Sequence, residues 1–383
     1  MGKIGKYSVD IEINGAAVEV IPSNISFVLG DSINSFYSKA TLTINDLEGY
    51  GLESRIFTSG SKITFVFGYE ENIIKTSFIV DFTETLDPIK SGQLSGKLVI
   101  YLIHESFALS ERKSESLSNK PSGDIEALFN YSFEDTDIEE TKELTFDRLY
   151  RPFMNEKETI EKILLPNSIS SNSSPSAYFC FIDIKGKLTY KSFSGMVALE
   201  PSYSLIQNLT DDLENYYLKI YSILPFTEKL ESVKDHIVYD LSYFDNKSLE
   251  LISEEVEIAN VALGGYPIFK TEISSNPYFM NIENFDYLDR DKAHIYNLQK
   301  DSLLPDKLIV STPLFLNYTS GKTVTIKTKY GKNDVSYSYS KKYLIEKASH
   351  LWNGKNNQGS TQLILSKPFP EFPANSTIEK GVY

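Results

Sequence analysis

The sequence predicts a mainly β protein of the α+β class, with two similar antiparallel β-barrels and an α+β domain inserted between them. Segments that alternate apolar and polar residues crowd the first 105 residues, and a period of two is typical of half-buried strands. The stretch "SGSKITFVFGYE" at 59–70 returns as "SGKTVTIKTKYG" at 320–331. Helical periodicity appears only after the first set of strands. A chain of 383 residues has the length for two or three domains.

The first barrel is predicted from five strands that Gly, Asn, Asp and Pro residues separate. In "YSVDIEI", for example, Val9, Ile11 and Ile13 share one face of the strand. The five segments occupy 7–13, 40–46, 62–67, 77–82 and 96–103. Short strands joined by turns indicate an antiparallel barrel or a sandwich.

The middle of the chain is predicted to be a small α+β unit. Apolar spacing predicts helices in "SGDIEALFNY" (122–131) and in "NEKETIEKILLPN" (155–167). In the second of these, Asn155 is the predicted N-cap and Glu158 its capping-box partner. A β-hairpin is predicted in "AYFCFIDIKGKLTYKSF", with its turn at Lys185-Gly186.

The similarity between the two Ser-Gly stretches extends to the strands that follow each of them. Phe78 and Leu98 are 20 residues apart, and so are Tyr343 and Leu363. Three strands with matched spacing favour a duplicated barrel. The alternative is that antiparallel strands resemble one another whatever their origin.

Charge is distributed unevenly along the chain. The net charge of −14 argues against a nucleic-acid-binding protein, because phosphate contacts need clustered Lys and Arg. Residues 1–110 carry a net charge of −5, whereas residues 320–355 hold eight Lys against Asp334 and Glu346, a net +6. The two echoing regions therefore carry opposite charge.

The sequence contains no recognisable catalytic or metal-binding motif. The four histidines lie far apart, and each is interpreted as a core or surface residue. Cys180 lies in an apolar strand and is interpreted as a buried small hydrophobe; as the single cysteine, it excludes an intramolecular disulfide. The acidic stretch 133–140 lacks the spacing of an EF-hand and favours a solvated loop over a Ca²⁺ site. We therefore expect no catalytic residues, no cofactor and no metal.

The N-terminal residues contain no apolar h-region, and no run approaches about 18 apolar residues. The sequence therefore predicts neither a signal peptide nor a membrane span, and predicts that the chain is made and folded in a cytoplasm.

In the order of its elements, the chain resembles the baseplate hub proteins of contractile-tailed phages, of which the T-even hub is typical. Late-control proteins and the hub regions of type VI spike proteins are related to this family. The segments that carry the resemblance are "GSKITFVFGY" with "SFIVDF", "KPSGDIEALF", "NEKETIEKIL" with "YFCFIDIKGKLTYKSF", and "KKYLIEKASHLW" with "STQLILSKP". Their shared order and spacing run over nearly the whole chain.

The resemblance implies a virion protein of the tail baseplate, assembled in the host cytoplasm. Hubs of this kind are homotrimers in which two tube-like barrels per subunit surround a channel and adapt a six-fold tail tube to a three-fold spike. The implied partners are the spike or needle protein, the tail tube or tube-initiator protein and other baseplate proteins, with DNA only as passing cargo. Because type VI spike proteins continue beyond the hub and this chain stops at Tyr383, we expect the needle to be a separate polypeptide.

The resemblance also implies a discontinuous second barrel, for which 214–223 and 235–244 are candidate strands. The expected domains are 1–110 for the first barrel, 111–205 with 243–304 for the middle domain, 206–242 with 305–368 for the second barrel, and 369–383 for a C-terminal arm.

Partner contacts are expected from the basic and aromatic residues of the second barrel and from apolar anchors in the arm. The opposite charges of the two barrels would steer subunits into alternating order. The alternative function is a carbohydrate- or receptor-binding β-protein at a virion tip, since Tyr-rich stretches also stack on sugars. The expected interface residues are Lys322, Lys327, Lys329, Lys347, Tyr337, Tyr339, Phe369, Phe372, Ile378 and Tyr383.

Overall fold

The computed structural model of the chain describes most of the N-terminal half and several separate stretches of the C-terminal half. The described residues are 7–17, 24–46, 57–69, 72–85, 96–144, 149–168, 170–171, 178–207, 216–227, 238–245, 250–257, 270–274, 306–327, 329–330, 334–335 and 342–366. Within them the chain is mainly β, as predicted, with a few short helical segments.

Seven strands precede the middle of the chain, and all five segments predicted from alternation lie within them. The strands are β1 (Tyr7–Ile13), β2 (Ala16–Ala17), β3 (Ile25–Ser32), β4 (Ser35–Asp46), β5 (Lys62–Tyr69), β6 (Asn72–Thr85) and β7 (Gly96–His104). Their alternating apolar residues, such as Leu29 in β3 and Leu42 in β4, are fully buried.

The middle region contains short strands and short helical segments. The strands are β8 (Lys113–Leu117), β9 (Thr136–Ile138), β10 (Leu149–Met154), β11 (Tyr178–Ile182) and β12 (Leu188–Ser192). The α-helices are α1 (Glu156–Thr159) and α2 (Phe193–Ala198), and α1 continues through a π-helical turn at Ile160–Leu164 into a 3-10 turn at Leu165–Asn167.

The remaining strands lie after α2. They are β13 (Tyr203–Gln207), β14 (Lys219–Ile220), β15 (Ser222–Thr227), β16 (Val238–Asp245), β17 (Glu250–Glu257), β18 (Lys270–Ser274), β19 (Asp306–Pro313), β20 (Thr323–Lys327), β21 (Lys329–Tyr330), β22 (Asp334–Val335), β23 (Lys342–Asn353) and β24 (Gln358–Ser366).

The local predictions for the middle region are confirmed at α1 and at the β-hairpin, but one helix is absent. Asn155 and Glu158 form the expected capping box, and β11 pairs with β12 around Gly186, which has a φ of +80°. Residues 122–131 do not form the predicted α-helix. They contain 3-10 turns at Pro121–Gly123 and Glu126–Leu128. Gly123 lowers the helix propensity of the segment, and the Asp124 carboxylate accepts the N–H and hydroxyl of Ser118, which holds Asp124 in a turn.

The described strands do not form two closed barrels. Fourteen of them belong to one open sheet in the order β14-β13-β20-β23-β3-β4-β7-β6-β5-β1-β2, and β15, β19 and β24 continue it from β23 as a branch. Pairing between β3 and β23 joins the two halves. Alternation in a sequence marks strands but says nothing about whether the ends of a sheet meet.

The segment 235–244, predicted as a strand, overlaps β16, which pairs with β17 and β18 in a separate three-stranded sheet. The other candidate segment, 214–223, contains β14 and only the first two residues of β15, which pairs with β19. The predicted boundary after residue 205 lies inside β13, which pairs with β20. The predicted C-terminal arm, 369–383, lies outside the described residues.

The internal repeat is visible in the strand order and in the hydrogen bonds of the two halves. In the first half, β6 pairs antiparallel with β5 and β7; in the second, β23 pairs antiparallel with β20 and β24. Both central strands carry a bulge, at Asp81 and at Glu346. In the paired strands, Leu363 of β24 occupies the position that Ile100 has in β7. The sequence comparison matched Leu363 with Leu98, which is two residues away and therefore the neighbouring inward-facing position.

The two Ser-Gly turns make the same backbone hydrogen bond. The Gly60 N–H donates to the Val80 carbonyl at 2.8 Å, and the Gly321 N–H donates to the Ile345 carbonyl at 2.9 Å. Gly60 and Gly321 have φ values of +86° and +81°, a region that strongly favours glycine. The same turn therefore starts the same strand triplet twice.

Four clusters of buried apolar residues fill the described structure. One lies under β1 and β3–β7, one in the middle region, and one under β13, β19, β20, β23 and β24. The fourth cluster lies between these regions and contains Ile33, Phe179, Phe181, Phe193, Met196 and Leu344.

We expect Gly321→Ala to destabilise the fold more than Gly60→Ala. Both substitutions place a side chain at positive φ, at a cost of about 1–2 kcal/mol. A Cβ on Gly321 would lie 2.6 Å from Cζ of the buried Phe181, whereas a Cβ on Gly60 meets open space. Overpacking should add about 1–3 kcal/mol at Gly321 alone. Urea unfolding of both variants measures the difference, and equal losses would contradict this account of the repeat.

Candidate assembly interface

The in-chain junction between β3 and β23 is the site where the two halves of the repeat meet. Seven antiparallel residue pairs join them, from Lys347 opposite Ser32 to Asn353 opposite Ser26. One part of β23, before the bulge, pairs with β20, and the part after it pairs with β3. The bulge at Glu346 therefore marks the point where the edge of β23 changes partner, as bulges commonly do.

Aromatic packing reinforces the junction on its buried face. Trp352 of β23 stacks on Phe27 of β3, with ring centroids 5.4 Å apart and an interplanar angle of 18°. Phe27 also contacts the rings of Phe65 and Phe67. A residue of the second half thus belongs to the core of the first, and the two halves share apolar burial as well as backbone hydrogen bonds.

A buried carboxylate at the end of β3 ties together three parts of the chain. Oδ1 of Asp31 accepts hydrogen bonds from the N–H and hydroxyl of Ser320, at 3.0 and 2.6 Å. Oδ2 accepts the N–H of Ile184 at 3.0 Å. Asp31 is only 2% exposed. It connects the first half, the β11–β12 hairpin of the middle region and the Ser-Gly turn of the second half.

A second buried carboxylate organises that hairpin. Oδ1 of Asp183 accepts the N–H groups of Lys185 and Lys187, at 2.8 and 3.0 Å, which closes the turn locally. Burial raises the pKa of Asp31 to about 7, and repulsion from Asp183 adds to this effect. Burial also raises the pKa of Asp183. Lys322 lies close enough to interact electrostatically with both carboxylates.

The bulge carries its own buried ion pair. Oε1 of Glu346 accepts from Nζ of Lys307 and from Nδ2 of Asn34, each at 3.1 Å. Oε2 accepts the hydroxyl of Ser366. The Glu346 carbonyl also accepts the N–H of Ile33, the residue that follows β3. These contacts fix the position of the β3–β4 turn against β23, since a buried carboxylate needs all its partners.

His350 is a neutral core residue in the same strand. Its Nε2 donates to the Tyr318 carbonyl at 3.1 Å, and its Nδ1 accepts the Thr361 hydroxyl at 3.0 Å. Complete burial lowers the pKa of His350 to about 3. His104 and Cys180 are also buried, which confirms the interpretation of these three residues as part of the core.

The structure places three of the ten predicted interface residues in regions whose side chains are described. Lys322 is half-buried and donates to the Asn317 carbonyl at 3.1 Å, and burial lowers its pKa. It lies inside the junction. Lys327 and Lys347 are exposed. Lys329 lies in β21, and its side chain is not described. Tyr337, Tyr339, Phe369, Phe372, Ile378 and Tyr383 lie outside the described residues.

The junction residues Asp31, Asp183 and Glu346 were not identified from the sequence. Only Asp183 had a usable signal, because an Asp two residues before Lys-Gly at a hairpin turn commonly accepts backbone N–H groups. The partners of Asp31 are 153 and 289 residues away in sequence, so no local pattern identifies them.

The acidic stretch 133–140 is engaged in ordinary ion pairs and hydrogen bonds. Nζ of Lys191 lies 3.0 Å from Asp137, and the hydroxyl of Ser192 donates to Glu139. Among the residues that the structure describes, no group of three or more His, Cys, Asp or Glu side chains is placed to hold a metal ion. In the same residues, no helix has the length and apolar character needed to cross a membrane.

The fold of the chain is shared with phage tail proteins and with a type VI secretion component. No protein-family model and no curated sequence matches the chain. A tail protein of Neisseria meningitidis MC58 matches over 94% of this chain and 96% of its own, with a TM-score of 0.58 and 10% identity. The 43 kDa tail protein of prophage MuSo2 from Shewanella oneidensis matches over 94% and 98%, with a TM-score of 0.62 and 9% identity.

A component of the type VI secretion system of Escherichia coli matches over 94% of this chain and 77% of its own, with a TM-score of 0.53 and 9% identity. That protein is described as structurally similar to the T4 bacteriophage tail proteins gp27 and gp5. The expected resemblance to baseplate hubs and their type VI relatives is therefore confirmed at the level of the fold.

We expect the stability of the chain to fall from about pH 4 to about pH 7 through Asp31. Its pKa rises from 3.8 to about 7 on burial, so the folded state binds more protons than the unfolded state in this window. The slope from one group is at most about 1.4 kcal/mol per pH unit. Asp31→Asn should remove this contribution, although it also removes an acceptor. Urea unfolding across the window measures both effects.

The matched control for Asp31→Asn is Asp137→Asn, which removes a carboxylate from a more exposed ion pair with Lys191. This control removes a carboxylate while leaving Asp31 and its hydrogen-bond partners unchanged. The same slope in Asp31→Asn as in the native chain would show that Asp31 does not titrate in this window.

Proposed function

We propose that this chain is a structural baseplate hub of a phage tail or a related contractile injection machine. Three copies form a ring around a central channel, and the ring joins a hexameric tail tube to a trimeric spike. The observation that carries the proposal is the internal repeat, whose two halves stand side by side in one sheet through β3 and β23. Three chains with two equivalent halves each would present six similar units to the tube.

In this proposal the two-barrel prediction takes a modified form. The halves are not closed barrels within the described chain, and each contributes an arc of strands that neighbouring copies complete. An open sheet with unpaired edges is otherwise prone to unwanted association. Closure between copies removes those edges, and this supports a ring over a free monomer.

The shared fold supports the proposed partners of the hub. Structures with this fold include tail proteins and complexes of VgrG with PdpA. We accordingly propose a spike or needle protein, a tail tube or tube-initiator protein and other baseplate proteins as partners, in a virion tail assembled in the host cytoplasm. The C-terminal arm, with its anchors Phe369 and Tyr383, is proposed to contact one of these chains.

A structural role without catalysis is part of the proposal. The buried histidines described above have pKa values lowered by burial and hydrogen bonds to neighbouring protein groups, so they act as packing residues. The alternative of a carbohydrate-binding protein rests on Tyr-rich stretches such as the one with Tyr337 and Tyr339, which lies outside the described residues, while the single tryptophan is buried against Phe27.

We expect the purified chain to form a closed homotrimer in solution. Sedimentation equilibrium or mass photometry measures the mass of the complex, and a trimer of the 43.4 kDa chain should persist without higher species. An open series of oligomers, or a monomer at every concentration, would contradict the ring.

Trimerisation should slow as salt is raised from roughly 0.05 to 0.5 M, because the Debye length falls severalfold over this range. The steering is assigned to the exposed lysines of the basic second half, so Lys327→Glu should slow association at low salt. Lys142→Glu, which alters an exposed lysine of the middle region, is the control. Rates that do not depend on salt would remove the steering from the proposal and leave the ring intact.

A further inference from the structure

The repeat extends to the strands on the far side of β7 and β24. β4 lies between β3 and β7, and β19 lies between β15 and β24, with every neighbouring pair antiparallel. When β4 is aligned with β19 through their pairing with β7 and β24, Leu224 of β15 takes the position of Val28 in β3. Pro225 likewise takes the position of Leu29. Strand β15 is therefore the second copy of β3, as β23 is the second copy of β6.

Among the residues that the structure describes, only one of the two possible junctions is made within the chain. The first-half strand β3 pairs with the second-half strand β23. The counterparts, β15 and β6, do not pair with each other. In the described part of the chain, β15 has a strand on one edge only, which is β19. The edge of β6 that pairs with β5 ends at Ile79, while its other edge continues along β7 to Thr85.

We propose that β6 of one copy pairs antiparallel with β15 of a second copy, in the register that β23 and β3 show within the chain. This inference rests on the proposed homotrimeric ring and specifies its contact. Carrying the in-chain register over places Thr83 opposite Thr227, Glu84 opposite Phe226 and Thr85 opposite Pro225. The partner that fits each free edge is therefore another molecule of the same protein.

The bulge of β6 is arranged as the bulge of β23 is. The Ser59 hydroxyl donates to the Asp81 carbonyl at 2.5 Å, and the Ser320 hydroxyl donates to the Glu346 carbonyl at 3.3 Å. In β23 this carbonyl also accepts an N–H from Ile33, just after β3.

Side chains near the two edges also suit a continued sheet. In the in-chain junction, Val28 lies opposite Leu351 on the open face, and these residues are 41% and 39% exposed. The corresponding face of the free edges carries Leu224 and Phe82, which are 60% and 47% exposed. The ring of Phe82 stacks on that of Tyr101 within the same copy, with ring centroids 4.2 Å apart. Addition of a strand would cover apolar surface that an isolated copy leaves in water.

Pro225 limits what else can add to the β15 edge. A proline lacks an N–H, so it removes at most one hydrogen bond from the pairing and disfavours uncontrolled strand addition. Alternation of in-chain and between-chain junctions around the ring gives six junctions from three copies. Ring closure pairs the exposed edges of β6 and β15 in every copy.

A cysteine pair tests the register directly. Under mild oxidation, Thr83→Cys/Thr227→Cys should give covalently linked trimers on a non-reducing gel, because opposite residues in antiparallel strands lie within disulfide reach. Thr83→Cys/Phe226→Cys shifts the register by one residue to the other face of the sheet and should give no product above the single-cysteine chains. Val28→Cys/Leu351→Cys, at the in-chain junction, should close within the monomer and serves as the positive control.

Hydrogen exchange on the native chain provides a second test that needs no substitution. On trimerisation, amides in 82–85 and 222–227 should exchange at least about tenfold more slowly, whereas those in 26–32 and 347–353 should be protected in monomer and trimer alike. A trimer without in-register crosslinks and without this protection would overturn the inference while leaving the ring in place. A chain that stays monomeric by sedimentation would overturn both.

Discussion

The pairing of β3 with β23 is the constraint on which the rest of the structure depends. It joins two halves that are distant in sequence into one sheet, and its buried face is sealed by Trp352 against Phe27. Asp31, at the end of the pairing, holds the middle region against the same seam. Without this seam the chain would be two unconnected arcs of strands. With it, the chain presents a fixed pair of equivalent units.

The buried charges at the seam favour a unique arrangement over maximal stability. A carboxylate such as Asp31 or Glu346 is costly to bury, and its cost is offset only when every partner is in place. Because those partners come from three parts of the chain, a shifted register of β23 against β3 would leave several charges unsatisfied. Apolar side chains at these positions would tolerate such slips, since hydrophobic contact is not directional.

Local patterns in the sequence predicted the strands and the helix start well, but they did not predict whether the strands close into barrels. Alternation located the strands, and Asn155 with Glu158 marked a true helix start. The segment around Leu128 is not a helix, because apolar spacing does not report the hydrogen bonds to Ser118 that hold Asp124 in a turn. The matched Ser-Gly stretches indicated the duplication because both turns need glycine at positive φ. The open sheet was not predictable, since strand alternation carries no information about which edges meet.

The four lysines of the interface prediction were chosen from charge, and charge does not report burial. Lys322 belongs to the same basic stretch as Lys327, yet it lies half-buried beside Asp183 while Lys327 is exposed. The long apolar stem of lysine allows both situations. Asp31 was missed for a related reason, because its partners are too distant in sequence for any motif to contain them.

The distance in sequence between β3 and β23 has a consequence for biosynthesis. Roughly 300 residues separate the two strands, and at about 5–20 residues per second the ribosome needs about 15–60 s to make them. During this time β3 has been synthesised but its partner has not. On a polysome, the first complete β23 within reach can belong to an older chain on the same message. Exchange of this strand between nascent chains is therefore the misassembly to which this topology is most exposed, and slow or dilute expression would favour the correct fold.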